Sequence, residues 1–199
     1  MWGQIFTFIA AILCLYFVYK HLTDRVKSVK YASSAALLIW ILMHIFYGID
    51  LPHHQNILDM IHITGLALVL VTLLLIIRYL RPEIFRYPYV LAFAPLLIPV
   101  AQLLVIDTHL IKDIIVMSTQ GVAIFVFVLL MMSNKLDLSA RFSIIVSAIL
   151  LIITFILVWF LSNNFVIEDY LWQILLSAGM ILGVYTFTRN IEMILKPDK

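Results

Sequence analysis

His44–His62 reads HIFYGIDLPHHQNILDMIH, a polar knot between two long apolar runs at residues 32–50 and 57–79. It gathers four of the chain's six histidines and two of its eleven acids. Each flanking run is long enough to cross a hydrocarbon core as a helix, which takes about 20 residues. Because only a few polar residues join them, the two runs are expected to be antiparallel neighbours, a membrane hairpin with the knot at its turn.

The rest of the chain extends that reading. It has 199 residues, 64% of them hydrophobic and only 12% charged, with a mean hydropathy of +1.11. So little polar surface cannot cover a water-soluble globule, and most of the chain must face lipid. Apolar runs of spanning length fall at residues 2–19, 32–50, 57–79, 88–106, 110–132, 142–162 and 169–188. The stretches between them are too short for a soluble domain. The expected fold is therefore all-α: one polytopic bundle of seven transmembrane helices covering residues 1–199.

Basic residues in short loops stay on the cytoplasmic side. Lys20, Arg25, Lys27 and Lys30 follow the first run, Arg78, Arg81 and Arg86 the third, Lys135 and Arg141 the fifth, and Arg189, Lys196 and Lys199 the seventh. Only Lys112 of the thirteen falls on the other side. The expected topology has the N-terminus outside and the C-terminus cytoplasmic. Asp50, His53, His54, Asp59, Asp107, His109, Asp113, Glu168 and Asp169 then collect at the outer ends of the spans. Acids near the start of a helix also suit its dipole, and Asn56 with Asp59 resembles an N-cap pair.

Some features shape the bundle without chemistry. Met-Trp-Gly-Gln lacks the basic n-region and cleavage site of a signal peptide, so the first run is expected to be retained as a span. Cys14 is the single cysteine, which excludes a disulfide within the chain. Pro95 and Pro99 lie on one face of the fourth run and should kink it. Gly179 and Gly183 form a small-xxx-small pair that lets another helix approach closely. Trp2, Trp159 and Trp172 sit near span ends as interfacial anchors, whereas Trp40 lies deeper.

His44 and His62 fall within spans. Each is six residues from its helix's outer end, counted from Asp50 and Asn56, hence roughly 9 Å deep at about 1.5 Å per residue. Matched depth on neighbouring helices lets the two rings face one another. Trp40, His44, Tyr47 and Gly48 share one face of the second run, and Asp59, His62 and Gly65 share one face of the third. An ionisable side chain inside a span marks a functional site, because leaving it unpaired in hydrocarbon is costly.

Three readings of this face stay open. The histidines can be neutral structural glue, hydrogen-bonded across helices to each other or to Tyr47, Gln102 or Gln120. They can belong to a site for a small ligand or a divalent metal ion, with His44, Asp59, His62, His53, His54, His109 and Asp113 as the available donors and Trp40, Tyr47, Gln102 and Gln120 as pocket walls; a metal needs three or four of those donors. They can also be the axial pair of a haem b. Covalent haem is excluded by the absence of CxxCH, and no HExxH or other zinc-hydrolase spacing is present.

Other classes are argued down. A retinal Schiff base needs an intramembrane lysine. A transporter carries titratable groups through the midplane and an inverted repeat, and neither is seen here. No P-loop or GxGxxG is present. The sequence therefore points to a receptor-like or accessory subunit in the plasma (cytoplasmic) membrane. Its outward-facing His/Asp pocket would bind a small ligand or metal ion and act through a membrane protein partner or a second copy, since the tail after Arg189 is too short to be an output domain. The alternative is a redox or hydrolytic protein using His44 and His62 as ligands. Nothing suggests a nucleic-acid partner.

Overall fold

The computed structural model describes residues 2–23, 26–47, 54–80, 86–104, 109–131, 137–161 and 169–195. Among these residues the chain is all helical, with no strand. The long helices are α1 (Trp2–His21), α2 (Lys27–Tyr47), α3 (His54–Leu80), α6 (His109–Met131), α7 (Leu138–Ile156) and α8 (Asp169–Leu195). A π-helical turn, Leu157–Leu161, continues α7. These six are long and apolar enough to cross a membrane, the architecture of a multi-pass integral membrane protein.

The fourth apolar run, 88–106, is not one helix. Its described part is α4 (Tyr89–Ala92), a 3-10 turn (Ala94–Leu96) and α5 (Leu97–Leu104). Pro95 has no N–H to donate, and its ring would clash with the carbonyl four residues back. The backbone there tightens to bonds three residues apart, Phe93 N to Val90 O at 3.1 Å and Leu96 N to Phe93 O at 3.0 Å. Pro99 then falls in the first turn of α5, where an N–H would have no intrahelical acceptor. The expected kink is thus a full break.

The helices form two compact units, Met1–Asp24 with Ile124–Lys199, and Arg25–Ala123. In the first, α8 packs against both α1 and α7. Gly3, Thr7, Ala10, Ala11, Cys14 and Val18 make the buried stripe of α1, while Ile5, Phe6, Ile9, Ile12 and Leu13 on other faces are exposed. Large apolar side chains on an outward face suit lipid and not water. The α7–α8 contact is built on small residues: Ser147 Oγ donates to Gly179 O at 2.7 Å, and a Cβ on Gly183 would lie 2.6 Å from Ser147 Oγ. Lipid offers helices no hydrophobic drive to associate, so close approach and interhelical hydrogen bonds take its place.

In the second unit α3 is central, packed by α2 and by α4, the 3-10 turn and α5. Its core positions Ile63, Leu66, Ala67, Leu70, Val71, Leu75 and Ile76 are buried. The helices α2 and α3 run antiparallel. Ser28 is bonded to Tyr79 at 2.8 Å at one end, and Trp40 meets His62 nearer the other. Gly65 keeps the two close, since a Cβ there would touch Ile39 Cγ2 at 3.4 Å. The expected hairpin is therefore present; its turn, residues 48–53, lies outside the described residues.

Candidate functional site

The two intramembrane histidines share a neighbour in Trp40. His44 lies one helical turn after Trp40 on α2, and its Nδ1 donates to the Trp40 carbonyl at 2.9 Å. That bond makes Nε2 the acceptor nitrogen of a neutral His44 ring. A histidine held by Nδ1–H on a backbone carbonyl is the usual supporting arrangement of a metal-ligating imidazole. Across the interface the His62 ring meets the Trp40 indole edge to face, centroids 6.1 Å apart and planes at 74°. The indole Nε1 is buried and has no hydrogen-bond partner among the described residues.

At the mouth of this face Asp59, one turn before His62 on α3, pairs with Lys112 of α6, Oδ2 to Nζ 3.6 Å. Both are largely covered, with side-chain exposures of 33% and 16%. Asp59 is also the charged neighbour of His62. The carboxylate therefore stands between an imidazole and an ammonium, a partner that a lone lysine among acids in the sequence could have signalled. Charges in partly buried positions are found paired, and Lys112 is the one basic residue set among the acids.

The other anticipated residues divide. Gln102 on α5 is 5% exposed, and its Oε1 has no partner among the described residues. Gln120 is half-buried on α6, Tyr47 is exposed at the end of α2, and Asp113 is exposed near the start of α6. His54 and His109 begin α3 and α6, but their side chains, like all of His53, lie outside the described residues. Among the described residues no three His, Cys, Asp or Glu side chains gather closely enough to hold a metal ion. His44, Asp59 and His62 remain the donors that could contribute to one.

Sequence reasoning missed a second polar cluster where α2 begins and α3 ends. Arg78 donates from Nε to Tyr87 O at 2.8 Å, and its guanidinium lies over the Tyr89 ring, 3.5 Å from the centroid. The available signal was the Tyr-Pro-Tyr at 87–89, aromatic residues flanking a turn at a span end. No family model, curated protein or solved structure matches the chain.

Proposed function

We propose that the protein is a non-enzymatic, receptor-like or accessory membrane subunit. On this reading it takes a small polar ligand at the Trp40–His44–His62 face of the α2–α3 hairpin and acts through a membrane partner, in the plasma membrane. The observation that carries the reading is Trp40. Its carbonyl is occupied by His44 and its ring by His62, yet its Nε1–H is buried without an acceptor among the described residues. An unmet buried donor costs about 1–3 kcal/mol. A ligand oxygen accepting from Nε1 would remove that cost, and His44 Nε2 and His62 would orient it. Gln102 Oε1, a buried acceptor in the same unit with no donor among the described residues, is the complementary group.

The proposal includes seven crossings with the N-terminus outside. Six crossings would put the basic stretches around Lys135 and after Arg189 on the outside and the acidic stretch at Glu168 and Asp169 on the inside. A crossing by the broken segment 88–106 restores the alternation, with twelve of the thirteen basic residues inside. The hairpin turn and the Asp59–Lys112 pair then open outward. A metal ion at this face would need further donors from His53, His54, His109 or Asp113, and a haem b would need both His44 and His62.

The test uses purified protein in nanodiscs, examined by absorbance, elemental analysis and thermal shift against amino acids, small carboxylates and divalent metals. A ligand that raises the melting temperature of the wild type, less so of His44→Ala and His62→Ala, and unchanged in His21→Ala, supports the pocket. Its affinity should fall as acidification protonates the rings, since a protonated imidazole has no lone pair to offer. A Soret band or stoichiometric bound metal lost in both variants would replace this reading with the cofactor one. Equal shifts in all three variants would leave the histidines as structural glue.

A further inference from the structure

The end of the second unit opposite the histidines carries a different site. Arg78 is the next-to-last residue of the α3 span, which runs Ile57–Tyr79, so it stands where hydrocarbon gives way to headgroups. Its side chain is fixed twice, by the Nε bond to Tyr87 O at 2.8 Å and by the Tyr89 ring 3.5 Å from the guanidinium. The 86–89 segment is itself moored to α3, because the Tyr87 hydroxyl donates to Leu74 O. Beside the guanidinium runs a row of hydroxyls: Tyr89 Oη donates to Tyr79 Oη at 3.4 Å, and Tyr79 Oη meets Ser28 Oγ at 2.8 Å.

This arrangement leaves the Nη groups of Arg78 with no partner among the described residues. A guanidinium offers its N–H groups as a rigid fork matched to a phosphate or carboxylate, and here the fork is already oriented. Lys27 and Lys30 at the start of α2 and Arg86 before α4 surround the same end. The described carboxylates of this unit, Asp59 and Asp113, are elsewhere; Asp59 is 19 residues back along α3 (78 − 59), roughly 28 Å at about 1.5 Å per residue. Among the described residues no carboxylate meets the fork, whose geometry suits an anion, and at this depth the anion present at high density is the lipid phosphate.

We propose that Arg78, Tyr79, Tyr89 and Ser28 form a binding site for the phosphodiester of an acidic phospholipid. Arg78 supplies the charged fork, the hydroxyls offer further donors, and the surrounding cations select an acidic headgroup over a zwitterionic one. The tyrosine ring under the guanidinium holds the fork in place before the lipid arrives, so little side-chain entropy is lost on binding.

The test is retention of lipid by protein taken from phosphatidylcholine nanodiscs with or without phosphatidylglycerol, counted by native mass spectrometry. Wild type should keep phosphatidylglycerol in preference to phosphatidylcholine. Arg78→Gln should lower that preference about fivefold, Arg78→Lys should lower it less, and Lys20→Gln should leave it unchanged. Tyr89→Leu, which keeps the charge but frees the fork, should also lower it and serves if Arg78→Gln does not fold. Equal retention by wild type and the folded Arg78 or Tyr89 variants overturns the proposal. So does displacement of the lipid by inorganic phosphate or glycerol 3-phosphate, which would make the site one for a free phosphate.

Discussion

The Trp40 indole and the His62 imidazole meet edge to face across the α2–α3 interface, centroids 6.1 Å apart. This contact joins a residue whose Nε1–H has no acceptor among the described residues to one with a titratable ring. Aromatic pairs in this geometry contribute about 0.5–1.5 kcal/mol beyond their burial, so Trp40 has a packing role whether or not anything binds. The packing role and the donor role separate by substitution.

Trp40→Phe keeps a ring against His62 but removes Nε1–H together with part of the bulk of the indole. The unliganded protein should then lose little stability, because the lost packing is offset by removal of a buried unmet donor worth about 1–3 kcal/mol. Ligand binding, in contrast, should weaken. Thermal unfolding of both proteins in nanodiscs, with and without the ligand found by screening, reads both effects. A large loss of stability without ligand would mean that the indole N–H already has an acceptor.

His44→Ala should be mild on its own. The Trp40 carbonyl that His44 Nδ1 reaches at 2.9 Å also lies four residues before the His44 amide, in helical register. Losing the side-chain donor therefore leaves that carbonyl satisfied, and the expected cost is about 0.6 kcal/mol, typical of a hydrogen bond in a membrane helix protein. His62→Ala should cost more, since it also opens space under Trp40. Denaturation in mixed micelles would rank them, and the reverse order would place the structural weight on His44.

Crossing number is open to single-cysteine labelling in a Cys14→Ser background. Seven crossings put Thr23→Cys and Asn134→Cys on the same side and Gln55→Cys on the other. Six crossings would put Asn134→Cys with Gln55→Cys. Impermeant maleimide applied to intact cells and to inverted vesicles decides between them.

What could be read from the residues depended on which physical rule was strong enough. Spanning length and apolarity are set by the bilayer, so six helices and the antiparallel α2–α3 pair were legible from the runs around His44–His62. The break at Pro95 was legible only as a kink, because sequence shows the missing donor at one residue but not how the backbone between Val90 and Leu96 retightens. Trp40 could be placed on the face of His44, yet its contact with His62 depends on the rotation of two helices about their axes. The Asp59–Lys112 pair joins residues 53 apart in the chain (112 − 59), and the Arg78–Tyr89 pair joins two different helices. No local periodicity encodes such pairings.

The Gly179/Gly183 pair gives the sharpest test of packing. A Cβ on Gly183 would sit 2.6 Å from Ser147 Oγ and 3.3 Å from Phe127 Cζ, whereas one on Gly179 would meet Leu151 Cγ at 3.2 Å. Gly183→Ala should therefore destabilise by about 1–3 kcal/mol, the usual cost of overpacking, and Gly179→Ala by less, because a leucine side chain can yield. Ser147→Ala removes the donor to Gly179 O but also the atom that a new Cβ at 183 would strike; Ser147 Cβ would remain at 3.6 Å, an ordinary contact. In the Ser147→Ala background Gly183→Ala should thus cost less than in wild type, with a favourable coupling of at least about 0.5 kcal/mol. Strictly additive losses in a double-mutant cycle, measured by unfolding in mixed micelles, would show that Ser147 Oγ is not what holds position 183 to glycine.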